Sequence, residues 1–376
     1  MSTVRRAAHS LPFVFGAAVA LVATSAVHAQ RAADSDAPAP VAQRAPVNVA
    51  AASGTARAAD YHLLHTYTLG GDGGWDYLAL DTVGHRLFIA RQDRVMVIDP
   101  TTGASIGEIP GLSGAHGVAF AYGAGHGFAT SGRDSTVVMF DLKTLRVLGK
   151  TTAAPDDDAI LFDPATKHIV TFNGDAQSAS VIDGSTGRKV GTIDLGAKPE
   201  FGVSDGHGKL YVNLESSSEI AEIDAAAMRV TRKWSIAPCA SPTGLALDVA
   251  HHRLFSGCRN KVMAVSDAST GKLVTTIPIG AGVDACRFDA ATGNAFSSNG
   301  GDGTITVVHE DAPDRFHVVQ TVRTMTSART MELDPKSHIL YTVGAKFGPA
   351  PAAAPGTRRR RPPMVPGSFS LLVLGS

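Results

Sequence analysis

The chain has 376 residues, with 34 basic side chains against 34 acidic, 6% aromatics and three cysteines. So even a balance leaves no electrostatic footprint for nucleic acid, and so few aromatics give no stacking platform for single strands. After the first thirty residues no run of about 18 apolar residues occurs, so no membrane-spanning helix is expected.

Residues 1–29 read as a signal peptide. Arg5 and Arg6 form the basic start, Leu11 to Val27 the apolar stretch, and Val27-His28-Ala29 a small-residue cleavage site. Val4 and Ala7-Ala8 beside the Arg pair fit ordinary secretion better than a twin-arginine signal, and the mature protein is expected in the periplasm or outside the cell. Cleavage removes two Arg and no acid, leaving 32 basic against 34 acidic residues. Residues 30–59 are rich in Ala and Pro with few large apolar side chains, which predicts a disordered linker. The folded domain is expected over 60–376.

That domain repeats itself about every 42 residues, a period and strand content that define the blade of a propeller. Asp81, Asp163, Asp205, Asp248, Asp289 and Asp334 each follow one short apolar strand and precede another; Ala121 holds the place in a further copy. Each copy reads as four short strands rich in β-branched residues. Val95 to Ile98 and Val137 to Phe140 are examples of the third, and Ser105 to Ile109 and Val190 to Ile193 of the fourth. Asp163-Pro164 and Asp334-Pro335 suit turns between the first two strands, and Asp99, Asp183 and Asp267, each four residues before a Gly, suit hairpins between the last two. The seventh copy lacks its fourth strand. His62 to Leu69 can supply it, closing the ring with the N-terminal strand. The fold expected is all-β: a seven-bladed β-propeller of four-stranded blades.

The Asp-Pro turn, the Leu-Tyr-Val-x-Asn strand, the Val-x-Val-Ile-Asp strand and the Thr-Gly-Lys/Arg turn resemble the YVTN-repeat, YncE-like periplasmic propellers, with Pro164 to Val190 the best copy. The resemblance covers 60–376 and implies export and a binding role. Copies two and four depart from it at the Asn ending the second strand. Copy seven departs most, carrying a Pro/Arg-rich insertion over 345–367.

Cys239 and Cys258 flank the first two strands of one copy and fall on the same face of a blade, so a disulfide is expected between them. Cys286 replaces Leu78, Val118, Ile160 and Leu245 of other copies and is expected as a buried thiol.

Counting from the recurring Asp isolates two polar rings at the channel mouth. Five residues before it stand Asp76, His116, Asp158, Glu200, Thr243, Asp284 and Arg329. Ten after it stand Arg91, Ser131, Asn173, Glu215, Cys258, Asn299 and Gly344. Asp76, His116, Asp158 and Glu200 form a candidate set for Ca2+ or Mg2+, since hard cations take oxygen ligands; the alternative is a solvated, internally paired ring in which Arg329 neutralises Asp284 and Asp76. Trp75-Asp76 opens a first strand and does not mark a WD40 repeat. No helix follows Gly70 to Gly74 to cradle a phosphate, and no nucleophile or haem-attachment motif occurs. Arg358 to Arg361 predict an extended basic arm able to meet an anionic surface.

The reading is an exported, monomeric, non-catalytic propeller that binds a small ligand or an envelope protein at the channel mouth and needs no cofactor. Two alternatives are a metal-dependent hydrolase or lyase with its cation in the ring, and a cell-envelope scaffold using the basic arm.

Overall fold

Seven antiparallel four-stranded sheets follow one another along the chain in the computed structural model, which describes residues 60–350 and 362–376. The expected signal peptide, linker and Arg358 to Arg361 lie outside the described residues. The innermost strands are Leu78–Asp81, Ala115–Ala121, Asp157–Asp163, Pro199–Ser204, Pro242–Asp248, Val283–Asp289 and Met331–Asp334. Each meets the innermost strand of the next blade, and the last meets the first, so they enclose a central channel. This is the β-propeller expected from the repeat.

Burial follows strand position. Second strands such as Arg86–Arg91 and His126–Ser131 are buried at nearly every residue, because neighbouring blades cover both faces. Outer strands such as Lys189–Asp194 are mostly exposed. The core is therefore divided among the blade interfaces. Between blades 1 and 2, Phe88 meets Phe120 edge-on at 4.9 Å and stacks on Phe140 at 5.9 Å.

The ring closes through its N-terminal strand. His62–Thr68 pairs antiparallel with Ser370–Gly375, from His62 opposite Gly375 to Thr68 opposite Ser370. It caps blade 7 as its outer strand, completing an edge left bare by the chain order. Buried Tyr61 anchors it: the ring packs edge-on against Phe296, and its backbone N–H donates to Gln320 Oε1.

The recurring Asp is a turn cap. Asp81 Oδ1 accepts from the N–H groups of Val83 and Gly84, Asp163 Oδ2 from Thr166, and Asp248, Asp289 and Asp334 from the residue two further on. Where Ala121 offers no acceptor, the chain makes a 3-10 turn over Tyr122–Ala124, with Gly125 in the left-handed region behind it. The Cys239–Cys258 disulfide is present, and Cys286 is a buried free thiol.

Candidate functional site at the channel mouth

Five innermost strands carry a register shift at the same place: between Ala115 and Val118, Asp157 and Ile160, Pro199 and Gly202, Pro242 and Leu245, and Val283 and Ala285. Inside those shifts sit His116, Asp158, Glu200, Thr243 and Asp284. In blades 1 and 7 the strand starts only after Asp76 and Arg329. A bulge re-aims the side chain it carries, which is how these positions escape the apolar alternation of the strand.

The backbone of the ring is braced from blade to blade. Tyr77 N–H donates to the His116 carbonyl at 3.0 Å, Thr130 Oγ1 to that of Asp158 at 2.7 Å, and Asn213 Nδ2 to that of Thr243 at 2.9 Å. Ser298 Oγ donates to the Arg329 carbonyl and Thr330 Oγ1 to that of Asp76. Gly132 and Gly300 leave room for two ring residues: a Cβ on Gly132 would stand 3.0 Å from the His116 ring, and one on Gly300 2.6 Å from Arg329 Cβ.

One side of the ring is charge-paired. His116 Nδ1 lies 2.6 Å from Asp76 Oδ2 and 3.2 Å from Asp158 Oδ1. Arg329 reaches Asp284 through Nε at 2.6 Å, and Asp76 and the Trp75 carbonyl through Nη2. Burial works against a charge on His116, yet the bond to Asp76 and the charges of Asp158 and Asp76 outweigh it and lift the imidazole to about 9. It is an imidazolium at neutral pH.

On the other side the nearest cations, Lys198 and Arg259, pair with Glu215 and not with Glu200. Glu200 is buried, and its carboxylate has no hydrogen-bond or ion-pair partner among the described residues. Burial, then Asp158, Glu215 and Asp284, push its carboxyl well above the ordinary range. Burial and Asp76 push Asp158 up, against the pull of His116. Burial likewise raises Asp157 behind the ring to about 7, and its Oδ1 is unpartnered.

Beneath the carboxylates the channel is plugged. Tyr77 of blade 1 meets Phe201 of blade 4 with centroids 4.9 Å apart, and Arg287 of blade 6 lies 5.0 Å over the Phe201 ring. Arg287 is paired to Glu332 of blade 7 at 2.9 Å. The Tyr77 hydroxyl is held un-ionised by burial and by Asp284, Glu200, Asp158 and Asp76 around it. The mouth is a cup with an aromatic floor. Sequence reasoning did not find that floor, although one column of the repeat carries it: the place four before the landmark reads Tyr77, Gly117, Ala159, Phe201, Gly244, Ala285 and Thr330. The two large aromatics face one another because their neighbours are small.

The second predicted ring is built differently. Arg91 is wholly buried and donates to the carbonyls of Gly70 to Gly74, with its guanidinium 3.7 Å over Phe369. Asn173 and Asn299 donate within their own hairpins, to Ser178 and Ser180 and to Thr304 and Thr306. Ser131 and Cys258 are used on a loop N–H and on the disulfide. Glu215 is paired with Lys198 and Arg259, 3.0 Å from each. Thr243, in the first ring, is fully buried and donates to the Gly257 and Val283 carbonyls. The groups that meet at the cup are therefore Asp76, His116, Asp158, Glu200, Asp284 and Arg329, over Tyr77.

No family model and no curated protein matches the sequence. Among solved structures, hydrazine synthase of Kuenenia stuttgartiensis is similar, with a TM-score of 0.65 at 14% identity, over 72% of this chain and 92% of that one. As many as 1787 solved chains match, and likeness at that identity speaks of the fold alone. The protein is a seven-bladed β-propeller. No helix among the described residues is long and apolar enough to cross a membrane.

Proposed function

We propose that this chain is an exported binding protein of the YVTN-repeat type whose channel-mouth cup takes up a cationic group, a hard metal ion or a protonated amine, on the arc of Asp158, Glu200 and Asp284. One observation carries the reading. Glu200 is a buried carboxylate without a partner, in a ring that already holds three more. A carboxylate crowded by Asp158, Glu215 and Asp284 in a partly desolvated site is relieved either by taking up a proton or by taking up a cation. His116 and Arg329 both pair with Asp76 and each takes one contact from Asp158 or Asp284, so Glu200 is the carboxylate of the ring left for an incoming cation, with Asp158 and Asp284 on either side of it.

Melting curves of the exported protein with and without Ca2+, Mg2+ and spermidine test the reading. At a hundredfold excess over Kd a bound cation adds about 2.7 kcal/mol of stability. A cation that raises Tm in the wild type and fails to do so in Glu200→Gln and Asp158→Asn supports it. Equal responses in all three proteins, or no response to any cation, contradict it.

A further inference from the structure

On the face away from the cup, between blades 5 and 6, stands a second group of ligating side chains. The third strands of blades 1 to 5 are five or six residues long, and each is followed by or ends on an Asp that caps the outer hairpin: Asp99, Asp141, Asp183, Asp224 and Asp267. In blade 6 that register position is His309, opposite Asn294, and the strand runs on through Thr304–Ala312, nine residues. The extension carries Glu310 up to the turn of blade 5 that holds Asp248 and His251.

There His251 Nδ1 lies 2.6 Å from Asp248 Oδ2 and 3.1 Å from Glu310 Oε1, and one donor atom from each residue falls within 4.8 Å of the others. His251 is thus within ion-pair distance of both carboxylates, while Glu310 Oε2 has no hydrogen-bond partner. Both carboxylate side chains are 3% exposed, so water does not satisfy them; His251 is half exposed and opens the group to solvent. Asp248 caps its turn with Oδ1 and turns Oδ2 toward His251. The cation beside the group, Arg253, is committed elsewhere: it donates to the Pro313 carbonyl and Asp314 and pairs with Asp267. A buried carboxylate with one oxygen unbonded thus converges with an imidazole nitrogen and a second carboxylate on one point.

We infer that Asp248, His251 and Glu310 form a binding site for a divalent first-row metal ion, with zinc the best match to one imidazole nitrogen and two carboxylates. Mixed nitrogen and oxygen ligands at bonds of about 2.0–2.2 Å suit zinc, whose tetrahedral edges are then about 3.3–3.6 Å; the 3.1 Å between His251 and Glu310 is near that, and the 2.6 Å between His251 and Asp248 has to open by roughly 0.7 Å for an ion to enter. Ligands from blade 5 and blade 6 would make the ion a clamp between them. This site shares no residue with the cup and does not rest on the proposal made for it.

The test is zinc binding to the chelator-treated full chain, followed by calorimetry and by melting temperature. His251→Ala, at a half-exposed position, and Glu310→Gln are compared with Asp158→Asn in the cup. The site predicts about one zinc per chain, an affinity at least roughly tenfold weaker in His251→Ala, and an unchanged affinity in Asp158→Asn. It also predicts opposite shifts in Glu310→Gln: Tm rises without metal, since an unmet carboxylate is removed, and no longer responds to zinc. Zinc binding that survives both changes, or no zinc binding at all, overturns the inference. Loss of zinc binding in Asp158→Asn alone would assign the ion to the cup and overturn it equally.

Discussion

Arg329 of the last blade donates to Asp76 of the first at 3.2 Å while its Nε holds Asp284 at 2.6 Å, so one guanidinium ties the seam of the propeller to blade 6. Arg329→Met leaves two carboxylates facing each other across that seam. With the guanidinium 40% exposed, solvent screening reduces the loss to about 1–2 kcal/mol. A lower Tm by thermal melt is expected, together with tighter binding of cations in the cup, whose negative charge has grown. A variant that melts lower but binds cations more weakly would contradict the charge argument.

Stability should fall as pH rises from about 4 to about 9. Burial lifts Asp157 from 3.8 to about 7, and its bond to Asp76, outweighing burial, lifts His116 from 6.5 to about 9. Both groups bind protons more tightly folded than unfolded. Their contributions are complete below the unfolded pKa and disappear as pH passes through the folded one, giving a negative slope of unfolding free energy with pH. Denaturation midpoints at pH 5, 7 and 9 check this. Asp157→Asn should flatten the lower part of the slope and His116→Gln the upper part.

Removal of residues 60–69 should abolish folding to a monomeric propeller, whereas removal of 30–59 should leave the unfolding free energy within about 0.5 kcal/mol of the parent. The shorter cut takes away Tyr61 and the strand His62–Thr68, exposing the edge of Ser370–Gly375. Gel filtration and circular dichroism of both truncations distinguish the outcomes.

Reduction of Cys239–Cys258, which are 19 residues apart, should cost roughly 3 kcal/mol in the chain-entropy account. Cys286 should stay unlabelled by a thiol reagent in the native protein, since burial pushes its thiol up to about 12. Melts with and without reductant, and labelling before and after unfolding, measure the two.

Much of this architecture was legible in the chain because a repeated Asp does the same physical work in six of the seven blades. A cap that accepts turn N–H groups fixes the register, and the register then names the residues that reach the channel mouth. The second ring was less legible. A polar residue at the end of a buried second strand can face solvent or donate inward, and Arg91, Asn173 and Asn299 all donate inward, to carbonyls and hydroxyls brought near only by folding. Contacts across the axis are harder still. Tyr77 and Phe201 are 124 positions apart and meet because blades 1 and 4 lie opposite one another. The Asp248, His251 and Glu310 group escaped for a related reason: it depends on a hairpin lengthened in one blade alone.

The cup is tested most directly by terbium luminescence, with Tb3+ as a hard cation and Tyr77 as the sensitiser beneath the four carboxylates. The wild-type protein is predicted to give terbium emission on tyrosine excitation, saturating at one ion in the cup, weakened by Tyr77→Phe and lost in the Asp158→Asn, Glu200→Gln double variant. Emission that persists unchanged in the double variant, or no emission from the wild type, would contradict a cation site at the channel mouth.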